Sequence, residues 1–192
     1  MGDVVDLRES RLRRIAHLAF RGWDKKFNET FSHTTTLASA GHNVIRFFAS
    51  GTPQSMQILQ AFVARCRYYR QIKNSGYENL DVTAKKEIVD ISLFLLDQTR
   101  FEAMFRLGWI SDFPARTIPL VELVVDFYEE YEWLQYETPS LQPTHDLYPD
   151  YIQTYEPDRN SFVRRLIPHV LQMFNQFVGI PPTHDDNRYF DH

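Results

Sequence analysis

Seven histidines, His17, His33, His42, His145, His169, His184 and His192, supply the imidazoles with which this chain could bind metal or move a proton. Helical zinc and di-iron sites take His and Glu three or four residues apart on one face. Neither Glu-x-x-His nor His-x-x-x-His occurs. His145-Asp146 and His184-Asp185-Asp186 pair ligand types side by side, and an extended chain turns adjacent side chains to opposite faces. The expectation is no metal site and no cofactor. Cys66 is the single cysteine and lies at helical spacing from Leu59 and Phe62, so it reads as a packed thiol. Gly-x-x-x-x-Gly-Lys, Gly-x-Gly-x-x-Gly and Gly-x-Ser-x-Gly are all absent, which argues against the usual nucleotide and serine-hydrolase chemistries. One pair remains. Arg164 and His169 are five residues apart, a cation for phosphate charge and an imidazole for proton transfer.

The stretch Arg164-Arg165-Leu166-Ile167-Pro168-His169 resembles the pattern of the small all-helical ribonucleases of the HEPN superfamily, an Arg, four to six residues, then a His. The resemblance covers these six residues. It implies RNA cleavage with His169 as acid/base and Arg164 stabilising phosphate charge. A second resemblance lies near the N-terminus. Ile15–Trp23, with Ala40-Gly41 and Phe47-Phe48 beyond, is similar to the opening of the tetracycline-repressor family of all-helical regulators. About five extra residues precede Ala40-Gly41 here, so no DNA-reading residue is carried over. That resemblance implies a nucleic-acid-binding regulator, and the charge of the basic N-terminal helix independently suits phosphates; its basic face, Arg11, Arg14, Arg21 and Lys25, would in the docking reading engage an acidic surface elsewhere.

Charge is divided along the chain. Residues 1–86 hold 14 Lys/Arg and 7 Asp/Glu, and residues 87–192 hold 7 and 18, so +7 and −11 sum to the net −4. Such polarity points to partners or to contact between the halves. From Glu122 to Asp158 there are ten acidic residues and no Lys or Arg. Phe127, Tyr128, Tyr131, Trp133, Tyr136, Tyr148, Tyr151 and Tyr155 are interleaved with them. Tyr and Trp anchor interfaces, and acidic rims steer basic partners.

Helices must position these residues. Apolar residues from Leu12 to Phe31 recur every three to four positions, predicting a helix over about 6–31. Short-helix signals follow at His42–Ala49. Thr52-Pro53 is a start signal for the next helix, which Gly76 ends. Asp81 or Thr83 opens a long, central helix to about Leu107, and a further one is predicted over about 119–135. Prolines 139, 143, 149 and 157 among tyrosines predict an extended strap over about 138–157. A last helix spans about 158–178, kinked or split by Pro168, and a polar tail covers about 181–192.

The reading is one all-α domain over 1–192, five to six helices in an antiparallel bundle-like array. No secretory signal is seen, Asp6 defeats a myristoylation pattern at Gly2, and no run nears the ~20 apolar residues of a membrane span. The expected setting is intracellular and soluble. The expected function is a non-enzymatic protein-interaction module, an adaptor or subunit, with a protein partner or a second copy. Tyr131, Trp133, Tyr148, Tyr151 and Tyr155 would supply contact area, and Glu129, Glu130 and Glu132 orientation. The alternatives are the nucleic-acid-binding regulator and the Arg164/His169 ribonuclease.

Overall fold

The computed structural model describes residues 6–179. Nine α-helices are found there: α1 Leu7–Ala19, α2 Trp23–Phe27, α3 His42–Ala49, α4 Pro53–Ser75, α5 Val82–Arg106, α6 Leu120–Val125, α7 Tyr148–Gln153, α8 Arg159–Arg164 and α9 Ile167–Phe177. The described residues contain no β-strand, only isolated bridges at Thr36/Pro119 and Ile110/Leu141. The class is all-α. Among the described residues no helix is long and apolar enough to cross a membrane. The polar tail and the N-terminal myristoylation reading at Gly2 lie outside the described residues.

Local signals set the helix ends. Asp6 caps α1, its carboxylate accepting from the N–H groups of Arg8 and Glu9. Thr52 Oγ1 accepts from Ser55 N–H with Pro53 at the first helical position, and Asp81 Oδ1 accepts from Ala84 N–H. The helix predicted over 6–31 is two. Gly22, at φ 88°, occupies a left-handed conformation that stops α1, and α2 restarts at Trp23. The apolar spacing runs through this break because α2 returns Trp23 and Phe27 to the same core.

α5 is the centre of the molecule. Ile88, Ile91, Phe94, Leu95, Phe101, Ala103 and Met104 are all buried on it, and it packs against α3, α4 and α9. Beside it, Trp23 lies among Phe20, Phe27, Phe31, Phe48 and Phe62, with ring centroids 4.7–5.8 Å away. Cys66 is buried, and burial pushes its thiol pKa up, so the packed-thiol reading holds.

A buried ionic network fixes the path into the acidic segment. Glu102 on α5 is fully buried and accepts from Arg106 Nε at 2.7 Å and Arg116 Nε at 2.8 Å. Arg106 also donates to the carbonyls of Leu37 (2.9 Å) and Ala40 (2.7 Å), and the Arg116 guanidinium lies 3.8 Å from the Phe105 ring centroid. Ala38 N–H bonds Arg116 O, and Leu120 N–H bonds Thr35 O. The loop between α2 and α3 is thereby tied to the connector that leads into α6.

Two further segments differ from the expected elements, and a third meets its expectation. The helix predicted over 119–135 stops at Val125, because Asp126 (φ −104°, ψ 19°) leaves helical geometry and Arg67 Nη1 takes the carbonyls of Val124 and Val125. A π-helical turn, Phe127–Tyr131, and a 3-10 turn, Glu132–Tyr136, continue the path. The predicted strap over 138–157 contains α7 and a 3-10 turn at Glu156–Asp158. Pro149 and Pro157 each fall in the first turn, where a missing N–H costs no hydrogen bond. The last helix is split at Arg165–Leu166 into α8 and α9, with Pro168 in the first turn of α9; here the sequence expectation of a break is met.

Candidate functional site

The acidic aromatic segment is built on two buried anchors, Phe127 and Leu134. Phe127 packs on Phe94 of α5 at 5.0 Å between ring centroids. Anchoring at both ends holds the intervening turns against the body and turns Glu129, Glu130, Glu132, Trp133, Tyr136 and Glu137 outward, where all are exposed. Trp133 is 51% exposed, and its indole N–H donates to Glu130 O at 2.9 Å. The polar end of the ring is thus satisfied locally while its apolar body faces solvent. In a 3-10 turn, residues three apart eclipse, so Trp133 and Tyr136 share a face. Tyr136 is 73% exposed.

Tyr131 sits half-buried behind this ridge and donates to Glu122 Oε1 at 2.6 Å. Burial first, then that bond and the charges of Glu122 and Glu130, push its pKa up. The basic first helix reaches the same place by one residue. Arg8 Nη2 lies 2.8 Å from Asp126, 3.5 Å from Glu122 and 3.9 Å from Glu130. The two charge halves therefore touch within one chain, through Arg8 and also through Arg67, which lies 3.5 Å from Glu87 and donates to the carbonyls of Val124 and Val125. Arg11, Arg14, Arg21 and Lys25 are exposed and make no ion pair among the described residues.

The five aromatic residues expected to form one contact surface are divided. Trp133 and Tyr155 are exposed, Tyr131 and Tyr148 are half-buried, and Tyr151 is buried. Tyr151 is a core residue, a correction to its expected role. It packs on Phe162 at 5.7 Å and under the Arg159 guanidinium at 5.4 Å, because α7 turns it inward where an extended strap would have let it project. Glu129, Glu130 and Glu132 stand where the sequence reading put them, on the exposed face.

Arg164 and His169 have separate partners. Arg164 is hydrogen-bonded to Asp97 of α5 and lies over the Phe101 ring. His169 is exposed and stacks on Trp109 at 5.8 Å. His145 meets the same indole edge-on at 4.8 Å, so Trp109 joins the segment before α7 to α9. No group of three or more His, Cys, Asp or Glu suited to a metal occurs among the described residues.

This imidazole pair yields a pH prediction. Burial, opposed by Asp146 and aided by the His169 charge, lowers the His145 pKa, and His145 Nδ1 accepts from Leu147 N–H at 3.1 Å, a bond that protonation removes. A histidine whose folded pKa is depressed contributes stability above its unfolded pKa of about 6.5. That contribution fades as pH falls below this value toward the folded pKa. Urea midpoints at pH 7.5 and 5.5 should therefore differ more in the wild type than in His145→Asn. Equal pH dependence in both would contradict the assignment.

Sequence reasoning named Trp133 and Tyr136 but missed how these residues pair. Trp133-x-x-Tyr136 would have signalled a shared face only to a reader expecting a 3-10 turn, since at α-helical spacing it reads as an ordinary pair. Arg8 and Asp126 are 118 residues apart and carry no mutual signal. No family model, curated protein or solved structure matches this chain.

Proposed function

We propose that this chain is a non-enzymatic helical protein-interaction module, an adaptor or subunit of a larger assembly, which docks a basic partner surface on the ridge from Glu129 to Glu137. The observation that carries this reading is the exposed Trp133–Tyr136 pair set among four exposed glutamates, in a stretch with no Lys or Arg from 117 to 158. Large rings with locally satisfied polar ends make interface anchors, and surrounding carboxylates select a cationic partner and speed its approach. A folded monomer gains little from leaving Trp133 half in water, while an interface gains the exposed half of its area. Arg11, Arg14, Arg21 and Lys25 of a second copy offer one surface of the required charge.

The test is affinity capture from the native source, with oligomer mass measured alongside. Wild type should retain a defined basic protein or a second copy, and retention should fall with rising salt. The triple variant Glu129→Gln/Glu130→Gln/Glu132→Gln should lose that species. If wild type and the triple variant retain the same species at the same salt, the reading is wrong.

A further inference from the structure

We infer that the cavity beneath the ridge is a receptor for the guanidinium of a partner arginine, an inference that rests on the proposed docking role. The cavity measures about 160 Å³ and opens between α5, the connector before α6 and the chain just past the ridge. Gln98 of α5 lines it and is 3% exposed. Its amide takes part in none of the side-chain hydrogen bonds of the described residues. Nor are its atoms among the enclosed, unpartnered side-chain atoms of the described residues, which are Trp23 Nε1 and Arg46 Nε. A buried amide that is neither paired nor enclosed meets whatever occupies the cavity, and its carbonyl and NH2 need partners there.

The remaining lining selects the occupant. Asp112 and Glu137 contribute carboxylates, and among the described residues no Lys, Arg or His lines the cavity. Asp112 lies 3.4 Å from Arg116, a guanidinium already engaged by Glu102 and stacked on Phe105. Glu137 is exposed and makes no ion pair among the described residues. Phe113 and Leu134 supply apolar wall. Carboxylates at the mouth, an amide carbonyl deeper in and an aromatic wall match a planar, weakly hydrated cation on an apolar stem, which is arginine and not lysine. Glu137 directly follows Tyr136, so an arginine inserted here places its backbone against the ridge.

Isothermal titration of the full chain with three capped pentapeptides tests this: Lys-Gly-X-Gly-Lys with X arginine, lysine or citrulline. The arginine peptide should bind about tenfold or more tighter than the citrulline peptide, the value of one charge-assisted hydrogen bond, and also tighter than the lysine peptide. Gln98→Leu and Glu137→Gln should each erase the preference. Glu137 is exposed, so its variant reports even where Gln98→Leu fails to fold. Three peptides binding alike, or an arginine preference untouched by both variants, overturns the cavity assignment, as does no binding by any peptide. Failure of the ridge looks different: Trp133→Ala would leave the affinity of all three peptides unchanged while an arginine preference dependent on Gln98 persists.

Discussion

Glu102→Ala should lower the free energy of unfolding by about 3–5 kcal/mol, the usual cost of breaking a buried ion pair from one side. The carboxylate is fully buried between Arg106 Nε and Arg116 Nε, and both guanidiniums are mostly withdrawn from water. Removing it strips both guanidiniums of their shared carboxylate, leaving Arg106 with backbone carbonyls and Arg116 with Asp112 alone. The penalty comes from those stranded charges more than from the lost attraction, so Glu102→Gln, which still accepts a hydrogen bond, should cost less than Glu102→Ala. The damage should also be local in kind. Arg106 holds the carbonyls of Leu37 and Ala40, and Arg116 precedes α6, so loosening both frees the loop ahead of α3 and the entry to the ridge. Urea unfolding followed by circular dichroism measures the loss. A change below about 1 kcal/mol for Glu102→Ala, the range of an exposed pair, would mean that water reaches the network.

Trp23→Ala should cost a similar amount, about 3–5 kcal/mol, as expected for deleting a large buried aromatic side chain. Trp23 is 3% exposed and touches five phenylalanine rings contributed by the residue that caps the end of α1, by α2, the loop beyond it, α3 and α4. Its removal uncouples the N-terminal helices from the rest of the core. The indole N–H, however, has no partner and no solvent. A buried donor left unpaired weakens the folded state. Trp23→Phe removes that donor along with part of the ring volume, so its cost should be well under half that of Trp23→Ala. Equal losses for the two variants, read from thermal unfolding, would contradict this and show that the site needs the indole itself and not only a large ring.

Much of the architecture was legible because its signals are local. Thr52-Pro53 and Asp81 announce helix starts through their own side chains, and the structure uses both as caps. Pro168 marked the division between α8 and α9. What could not be read was set by distant groups. α6 ends at Val125 where Arg67, more than fifty residues earlier, takes its last carbonyls. Nothing in the residues from Pro119 to Gln135 foretells that capture, and their apolar spacing carries on regardless. Prolines 149 and 157 misled for a different reason. They forbid a helix interior but suit a first turn, and composition alone does not distinguish the two. The ridge lies between these cases. Its charge and its rings were plain in the sequence, while the exposure of each ring depended on the turn type beneath it. Tyr151 went inward on α7 and Trp133 outward on the 3-10 turn.

The account stands most directly on Trp133→Ala, measured at once for melting temperature and for retention of the captured partner. Trp133 makes its one polar contact to its own turn and leaves half its surface in water, so the melting temperature should stay within about 2 °C, a fraction of 1 kcal/mol for a domain of this size. Partner affinity should drop about thirtyfold or more, as for a central interface anchor losing 2 kcal/mol. A variant that melts several degrees lower yet holds its partner as tightly as wild type would make Trp133 a packing residue and refute the ridge as a docking surface.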